Sequence, residues 1–360
     1  MKHLLVTNDF PPKHGGIQTL LWELWRRLPS DDFAVLTTPH DGAAAFDAAQ
    51  PFRVERTREP VLLPTPMLRR RVDAMVKELG AELVMLDPAL PVGGIGPHLS
   101  VPYGVFMHGS ELIGRLPIGD RLSGRVLRGA SVVIAAGTYP AAETRRLTRG
   151  HEPPITLVPC GVDSTRFQPL ADKAEARRRF GLPEDAPLVV GLSRLVPRKG
   201  FDVLIDAVER MPGVHVAIGG TGSDHERLAK KASDRVHLVG RIEDDDLPAF
   251  YGCGDAFGML CRDQWFGLEK EGFGIVFLEA AACGVPQVAG RSGGSADAVS
   301  HDETGIVVDD PRDVDAVVRA LRTVLDPETN ARMAAASRHR AVAVFDYDLL
   351  AATLQAALTC

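Results

Sequence analysis

The stretch LVVGLSRLVPRKGFDVLIDAVERM, residues 188–211, decides the predicted fold because it contains one complete unit of a parallel sheet. Residues 188–195 form a short apolar run that is typical of a buried strand, and residues 201–211 have the spacing of an amphipathic helix. The proline and glycine between these segments indicate a tight connection. A strand that passes through a loop into a helix is the repeating unit of a doubly wound α/β domain.

The same alternation continues along the chain and starts twice. Strands are predicted at residues 3–9, 33–38, 83–87, 103–108, 131–137 and 155–161, and again at residues 188–195, 214–220, 236–240, 255–261, 286–290 and 305–310. We therefore expect an α/β protein with two Rossmann-like domains, residues 1–165 and 166–345, that face each other across a cleft. We also expect the last helix, residues 346–360, to pack back onto the first domain.

Length and composition set the class of protein. A chain of 360 residues can form two domains with separate cores, and 45% hydrophobic with 24% charged residues is typical of a soluble globular protein. A net charge of −6 argues against nucleic-acid binding, and the five cysteines include no Cys-x-x-Cys pair that would indicate zinc. Because no apolar run approaches about 18 residues, we expect a cytoplasmic protein.

Two loops that follow predicted strands have the composition of anion sites, which doubly wound domains form beyond the carboxyl ends of their strands. Gly15 and Gly16 stand where the first strand passes into a helix, and glycine allows backbone N–H groups to approach an anion closely. Arg194 and Lys199 lie after the first strand of the second domain, where two cations suit a diphosphate. The structural alternatives are a tight turn for the glycines and surface bases for the cations.

The stretch KEGFGIVFLEAAACGVP, residues 270–286, places two carboxylates around the start of a helix. If the helix begins near Gly274, Glu271 lies in the loop before it and Glu279 lies about a turn and a half inside it. The backbone N–H groups of Phe273, Gly274 and Ile275 are then open, and carboxylates with open amides can hold sugar hydroxyls. The alternatives are a helix-surface acid for Glu279 and a charge that favours the helix dipole for Glu271.

Several motifs together resemble the retaining glycosyltransferases of family 4, which have the GT-B fold. These motifs are two glutamates separated by seven residues, the early Gly-Gly-Ile, HGSE at residues 108–111, SRLVPRKG at 193–200 and GRSGGSADAV at 290–299. More narrowly, VTNDFPPKHGGIQ, LPTP at 63–66 and the stretch from CRDQWFGLEKEGFG to VAGRSGG are similar to actinobacterial phosphatidylinositol mannoside mannosyltransferases, which use GDP-mannose. The resemblance implies a hexosyltransferase with GT-B architecture.

The resemblance also implies roles for individual residues. Four are expected to act in catalysis: His108, near the sixth carbon of the sugar, Arg194 and Lys199 on the diphosphate, and Glu271 on the sugar hydroxyls. The other implied donor contacts are backbone groups of Gly15, Gly16, Phe273, Gly274 and Ile275, the ribose contact of Glu279, and the guanine contacts of Ile242 and Asp244. Position 247 is Leu, where some relatives have lysine, so a base other than guanine stays open.

The implied mechanism requires neither a covalent enzyme nucleophile nor a metal. The leaving diphosphate can take the acceptor proton while cations and helix amides stabilise its charge. For the acceptor, the resemblance indicates Gln18 and residues 64–71, where Arg69, Arg70 and Arg71 suit a phosphoinositide headgroup and peripheral contact with an anionic membrane on its inner face.

Other functions fit the sequence less well. A glycosidase has no use for tandem nucleotide-type domains, and a dehydrogenase would need a dinucleotide fingerprint. A non-catalytic sugar-nucleotide sensor stays open, and turnover of the sugar with any acceptor would exclude it. Among enzymes, the alternative is a family 4 enzyme that uses a UDP-sugar and another cell-wall or small-molecule acceptor.

Overall fold

A computed structural model of the chain describes residues 1–108, 117–263 and 273–359. Contacts within the chain divide it into two compact units, one formed by Met1–Cys160 with Tyr347–Cys360 and the other by Gly161–Asp346. They are called unit 1 and unit 2 below.

Within its described residues, unit 1 contains a parallel sheet of seven strands in the order β3-β2-β1-β4-β5-β6-β7. The strands are β1 (His3–Thr7), β2 (Phe33–Thr37), β3 (Arg53–Arg56), β4 (Leu83–Asp87), β5 (Tyr103–Met107), β6 (Val132–Ala135) and β7 (Ile155–Leu157). The central strands β1, β4 and β5 are buried along their whole length, as expected for strands covered on both faces. The strand order reverses between β1 and β4, which is where such sheets bind ligands.

Helices connect the strands of unit 1 and build two cores. They are α1 (Gly16–Trp25), α2 (Ala43–Ala48), α3 (Pro66–Leu79), α4 (Pro117–Gly129) and α5 (Thr138–Thr148). Successive residues of a strand point to opposite faces, so Leu4 packs in one core with Val72 of α3, and Leu5 packs in the other with Trp25 of α1. Helix α3 begins at Pro66 because Thr65 caps it, accepting a hydrogen bond from the N–H of Leu68 at 3.2 Å.

The described residues of unit 2 form a parallel sheet of six strands in the order β10-β9-β8-β11-β12-β13. The strands are β8 (Leu188–Leu192), β9 (His215–Gly219), β10 (Val236–Gly240), β11 (Ala256–Met259), β12 (Gln287–Gly290) and β13 (Gly305–Val308). The helices are α6 (Lys173–Arg179), α7 (Phe201–Glu209), α8 (His225–Ala229), α9 (Leu247–Gly252), α10 (Ile275–Ala282), α11 (Ser295–Ala298), α12 (Val314–Leu325) and α13 (Pro327–Val344). The order again reverses at the first strand, β8.

The chain returns to unit 1 in its last helix, α14 (Tyr347–Leu358). Leu350 and Leu354 of this helix are buried in the same core as Trp25 of α1. Nε of Arg27 also donates to Oδ1 of Asp348 at 2.6 Å. Unit 1 is therefore built from two stretches of chain that are far apart in sequence.

The prediction of two tandem parallel α/β sheets is confirmed, and the structure adds elements that the sequence pattern did not predict. Strand β3 has the sequence RVER at an edge of its sheet, so it lacks the continuous apolar run of a central strand. Helix α4 contains Pro117, Gly119 and Gly124, which lower its helix propensity. Helix α2 has only 6 residues, none of them buried.

Candidate active site

Three side chains meet at the carboxyl ends of β1, β4 and β5 in unit 1. Nε2 of His108 lies 2.5 Å from Oδ1 of Asp87, and Oγ1 of Thr7 donates to Oδ2 of Asp87 at 2.5 Å. Thr7 and Asp87 are fully buried, and the His108 ring stacks on Phe106 with 4.6 Å between ring centroids. The predicted sugar-contacting residue His108 is therefore anchored by a buried carboxylate.

The loop after β1 holds a second group of polar contacts. Oδ1 of Asp9 accepts hydrogen bonds from Nε2 of Gln18 and from Nζ of Lys13, both at 2.6 Å. Gln18 is buried, and its Oε1 lies only 2.1 Å from the position that a Cβ atom on Gly15 would occupy. The predicted acceptor residue Gln18 is thus held by its hydrogen bond to Asp9, and its side chain fits only because residue 15 is glycine.

The first turn of α1 is open to an anion. The helix begins at Gly16, its N-cap is Gly15, no described side chain caps it, and its first turn contains no acidic residue. The N–H groups of a first helical turn have no partner within the helix, and the helix dipole favours negative charge there. The predicted donor residues Gly15 and Gly16 therefore lie at a helix N-terminus beside the carboxyl edge of the unit 1 sheet.

Arg194 and Lys199 lie between β8 and α7, at the carboxyl edge of the unit 2 sheet. Arg194 is exposed, whereas Lys199 is only 7% exposed and ends a short helical turn, Pro197–Lys199. Gly200 follows with φ of 70°, and a Cβ atom there would lie 2.0 Å from the backbone oxygen of Leu260. This close approach to the end of β11 fixes the loop that carries both cations.

The next loop along the unit 2 sheet depends on glycine in the same way. Gly220, just after β9, has φ of 118°, and a Cβ atom there would lie 1.9 Å from the backbone oxygen of Ser193. Its N–H donates to the backbone oxygen of Gly240 at 2.6 Å. The loops after β8, β9 and β10 are therefore packed backbone against backbone, with little side-chain material between them.

Helix α10 carries the predicted backbone amide donors of unit 2. It begins at Ile275 after Gly274, which has φ of 86°, and no described side chain caps its first turn. Phe273 is buried and meets the ring of Phe345 at 5.9 Å between centroids. The predicted residues 273–275 therefore lie at a helix N-terminus, while Glu271, the predicted sugar-binding acid, lies outside the described residues.

Glu279 lies inside α10, is partly buried, and is held by Tyr251. Oη of Tyr251, which is fully buried, donates to Oε2 of Glu279 at 2.6 Å. Burial raises the pKa of Glu279 above its ordinary value, although the hydrogen bond from Tyr251 and the charge of Arg166 act in the opposite direction. The charge of Asp244 adds to the increase, so Glu279, Asp244 and Arg166 share one electrostatic environment.

The predicted base-contacting residues follow β10. Ile242 is partly buried, and its Cγ1 lies 2.8 Å from where a Cβ atom on Gly219 would be. Asp244 is exposed and begins a short helical turn, and its backbone oxygen accepts a hydrogen bond from Nη2 of Arg166. Arg166 therefore joins the Asp244 loop to the environment of Glu279.

The predicted acceptor arginines lie in the first turns of α3. Arg70 is exposed, and Arg69 is partly buried. Arg71 is instead engaged with Glu55, with 3.0 Å between Nη2 and Oε1, which leaves it less suited to an anionic ligand than the sequence suggested. Large apolar side chains are also exposed here: Val61, Leu63 and Met67, at 49, 53 and 68%.

Sequence reasoning did not select three residues that contact the predicted ones: Asp87, Tyr251 and Arg166. Asp87 ends the apolar run LVMLD at the sheet edge where His108 ends the next strand, and a carboxylate at that position is a signal that could have identified it. Tyr251 and Arg166 reach Glu279 and Asp244 from elements distant in sequence. A single sequence carries no signal of such contacts.

Two further features of the described residues concern the membrane and metal ions. In the ranges 1–108, 117–263 and 273–359, no helix combines the length and the apolar character needed to cross a bilayer. Over the same ranges, no three His, Cys, Asp or Glu side chains are grouped closely enough to hold a metal ion. That catalysis requires no metal stays a prediction.

Family models match the chain over two adjacent ranges, Glycosyltransferase Family 4 at residues 14–166 and Glycosyl transferases group 1 at residues 172–340. The GDP-mannose-dependent alpha-(1-6)-phosphatidylinositol monomannoside mannosyltransferase of Mycobacterium tuberculosis is 38% identical over 98% of this chain and 96% of that protein. The chain belongs to glycosyltransferase family 4. The resemblance that the motifs indicated is confirmed.

Other members of the family agree with this assignment. The Mycolicibacterium smegmatis protein of the same description is 39% identical over 94% of this chain and 93% of its own length. The GDP-mannose-dependent monoacylated alpha-(1-6)-phosphatidylinositol monomannoside mannosyltransferase of Corynebacterium glutamicum is 34% identical over 97% and 95%.

Solved structures share the fold of this family 4 member. Anabaena HepE in complex with UDP has a TM-score of 0.83 at 21% identity, over 100% of both chains. Sucrose-phosphate synthase from Thermosynechococcus elongatus has a TM-score of 0.78 at 22% identity, over 99% of this chain and 97% of that one. The predicted GT-B fold with two Rossmann-like domains is confirmed.

Proposed function

We propose that this family 4 enzyme is an alpha-mannosyltransferase that moves mannose, with retention of configuration, from GDP-mannose to a phosphatidylinositol mannoside-type lipid. One observation carries the proposal: three relatives whose names state that donor and that acceptor are 34 to 39% identical to this chain over at least 93% of each protein. Identity that extends over both units supports a shared donor and a shared acceptor rather than a shared fold alone.

We assign the donor to unit 2 and its diphosphate to Arg194 and Lys199. Both cations stand at the carboxyl end of a central strand, where nucleotide ligands of such sheets bind. Lys199 is buried in a fixed turn, so its charge is held in place before the ligand arrives, whereas exposed Arg194 can close on it. The predicted backbone contacts of Gly15 and Gly16 are supported by the open first turn of α1.

We assign the nucleoside to the surroundings of Glu279. Tyr251 occupies Oε2 and fixes the carboxylate, so its other oxygen can accept hydrogen bonds from ribose hydroxyls. Ile242 offers an apolar surface to a base, and Asp244 offers an acceptor for the exocyclic amine and N–H of guanine. Arg166 stabilises this loop by a hydrogen bond from its guanidinium to the backbone oxygen of Asp244.

The transfer itself follows from these assignments. The bond between the anomeric carbon and the diphosphate oxygen breaks, and the acceptor oxygen bonds to that carbon on the same face. The acceptor proton passes to the departing phosphate oxygen. Arg194, Lys199 and the open N–H groups at residues 273–275 stabilise the negative charge that develops on the leaving group, while His108 and Glu271 hold the sugar.

We assign the acceptor to unit 1. Gln18 is fixed by Asp9 and can donate to or accept from an inositol hydroxyl. Arg69 and Arg70 suit the phosphate of the headgroup, and the exposed side chains of Val61, Leu63 and Met67 next to them suit the interface of an anionic membrane. A protein that lies on the inner face of the membrane would meet its lipid substrate there.

The donor assignment is tested by ligand protection against thermal unfolding. GDP-mannose at 100 times its Kd should stabilise the folded protein by about 2.7 kcal/mol, and GDP should also protect, because the diphosphate and nucleoside sites are in unit 2. UDP-glucose and UDP-N-acetylglucosamine at the same concentration should protect less. Stronger protection by either UDP-sugar would indicate that this UDP-sugar, and not GDP-mannose, is the donor.

The reaction is tested by incubation of labelled GDP-mannose with a phosphatidylinositol monomannoside in mixed micelles. We expect an alpha-linked dimannoside product, whereas Glu271→Ala should abolish transfer and still be protected by GDP. Phosphatidylinositol without mannose is the matched control acceptor. Transfer to neither lipid, despite protection by GDP-mannose, would contradict the lipid acceptor, and retention of most activity in Glu271→Ala would contradict the role of that residue.

A further inference from the structure

A chain of hydrogen bonds runs from a backbone amide through two buried side chains to the ring of His108. The N–H of Asp9 donates to Oγ1 of Thr7 at 2.8 Å, Thr7 donates to Asp87 at 2.5 Å, and Nε2 of His108 lies 2.5 Å from the other carboxylate oxygen. Thr7 and Asp87 are completely shielded from solvent. The chain joins the carboxyl ends of β1, β4 and β5, which are neighbours in the sheet.

The direction of every bond in this chain is set by two groups, the amide of Asp9 and the carboxylate of Asp87. The amide N–H can only donate, so the oxygen of Thr7 accepts from Asp9, and the ionised carboxylate can only accept, so the hydroxyl hydrogen of Thr7 is directed at Asp87. An ionised carboxylate can only accept, so the bond between Asp87 and His108 is donated by the ring. The proton therefore stands on Nε2 of His108, and in the neutral ring Nδ1 carries the lone pair.

The burial of Asp87 stabilises its hydrogen bond with Nε2 of His108. A charge without contact to water is costly unless donors compensate it, and the described donors are the Thr7 hydroxyl and the His108 ring. The ring is also stacked on Phe106 at an angle of 12° between planes, which restricts its rotation. His108 is thus held in one orientation and one tautomer before any ligand binds.

We propose that Asp87 is a positioning residue for the transfer reaction: it keeps the proton on Nε2 of His108 and thereby sets how the ring meets the donor sugar. This inference rests on the proposed function, because that function gives His108 its contact with the sugar. Within the described residues, the hydrogen-bond partners of the Asp87 carboxylate are His108 and Thr7, so Asp87 acts through the ring.

The substitution Asp87→Asn tests the proposal without a change of size. If the new amide turned its NH₂ toward Thr7, the buried hydroxyl hydrogen of Thr7 would lose its acceptor, so the amide oxygen takes that place and the NH₂ faces His108. Nε2 must then accept instead of donate, and the proton moves to Nδ1. Nitrogen NMR of the histidine rings in the protein without ligand should show this exchange of protonated and unprotonated nitrogens, and loss of the signal in His108→Ala identifies it among the 11 histidines.

Kinetics separate positioning from a merely structural role. Asp87→Asn should lower kcat by about 10²-fold through a misdirected ring, with the Kd of GDP unchanged, because GDP lacks the sugar that His108 is proposed to contact. In a His108→Ala background the same substitution should cause no further loss, because a residue that acts only through His108 cannot act without it. Asp31→Asn, the same change at an exposed carboxylate before β2, is the matched control and should leave the tautomer of His108 and kcat unchanged.

Two results would overturn the inference. One is an unchanged His108 tautomer in Asp87→Asn, and the other is a loss of kcat that adds fully to that of His108→Ala. The NMR experiment needs no substrate, so a tautomer exchange together with no transfer from GDP-mannose would count against the proposed function and leave the hydrogen-bond assignment standing. If Asp87→Asn does not fold, the spectrum of the unchanged protein still decides: Nε2 of His108 should be protonated and Nδ1 unprotonated, and the reverse would overturn the inference.

Discussion

The carboxyl edges of the two sheets are built from different materials, although both belong to Rossmann-like folds. The edge of unit 1 consists of hydrogen-bonded side chains, with Thr7, Asp87 and His108 in one group and Asp9 with Gln18 in another. The edge of unit 2 consists of glycine-rich backbone and cations, with Gly200 and Gly220 pressed against neighbouring carbonyl oxygens.

This difference corresponds to what each edge is proposed to hold. A diphosphate has charge and a bulky, nearly symmetric shape, so backbone N–H groups and cations that can come close to it are sufficient. A sugar or an inositol is neutral and has hydroxyls in defined directions, so it requires donors and acceptors with fixed orientations. Substitutions that keep the size of a side chain but change its hydrogen-bonding groups should therefore have their largest effect in unit 1. Substitutions that add volume or remove a charge should have their largest effect in unit 2.

The largest expected effect is the loss of a buried cation from unit 2. Lys199→Met keeps most of the side-chain volume and removes the charge, so we expect kcat to fall by about 10²- to 10³-fold because the leaving diphosphate is no longer stabilised. Steady-state transfer from GDP-mannose measures it. Lys230→Met, at an exposed lysine of the same unit, is the matched control and should leave kcat unchanged; equal losses in both would break the assignment of the diphosphate.

The second prediction tests the close backbone packing of unit 2. In Gly220→Ala the new Cβ atom would lie 1.9 Å from the backbone oxygen of Ser193 at φ of 118°, so we expect unfolding to require about 3 kcal/mol less. Gly213→Ala has a φ of 81° and no heavy atom within 4 Å of the new Cβ, and it should lose about 1 kcal/mol. Urea unfolding of both variants measures the difference. Equal losses of stability would show that Gly220 is not required for the close approach of the Ser193 backbone.

The third prediction concerns the charged surface of unit 1. Charge reversal of Arg69 and Arg70 to glutamate should weaken binding to vesicles that contain anionic lipid by at least about 2 kcal/mol, because each basic residue near such a surface contributes about 1 kcal/mol and each new carboxylate is repelled. Cosedimentation with phosphatidylinositol vesicles measures it, with neutral vesicles for comparison. Arg145→Glu changes an exposed charge on α5 and serves as the control. Unchanged binding in the Arg69 and Arg70 variant would count against a membrane-bound acceptor.

The smallest expected effect is on stability and concerns Glu279. Unlike the glycine-rich loops of unit 2, this residue is held by a side-chain hydrogen bond. Tyr251→Phe removes the donor to Glu279, and an ionised, enclosed carboxylate without that donor should destabilise the protein by about 1 to 2 kcal/mol near neutral pH.

The pH dependence of this variant has a definite sign. Burial already raises the pKa of Glu279, so ionisation of this group costs stability as the pH rises through its value in the folded state, and without Tyr251 that pKa rises further. The penalty of Tyr251→Phe should therefore shrink as the pH falls and Glu279 takes a proton. Unfolding curves at several pH values measure it; a penalty that grows toward acid pH would show that Tyr251 does not stabilise the ionised form.

The central part of the fold could be predicted because its signals are local. The strands that were predicted are mainly apolar runs, most of them followed by Gly- or Pro-containing loops. The elements that were not predicted lack such runs, as the edge strand β3 does. The candidate site divides in the same way. Arg194, Lys199 and residues 273–275 were selected from their place at the start of helices.

The supporting contacts of the site could not be predicted in the same manner. Asp87 is separated from His108 by 21 positions and Tyr251 from Glu279 by 28. Their pairing depends on which strands and helices become neighbours in the fold. Local sequence patterns do not determine which side chains of neighbouring elements contact each other. The roles of all these site residues stay predictions until the variants above are measured.

The return of α14 to unit 1 has a consequence for synthesis of the protein. Trp25 and the other apolar side chains of α1 that pack against Leu350 and Leu354 gain this cover only when the last helix has left the ribosome. During translation, all of unit 2 is therefore available to fold before unit 1 can be completed, and a nascent chain released early would expose an apolar surface that chaperones and proteases recognise. Deletion of α14 would thus damage unit 1, most of which precedes unit 2 in the chain.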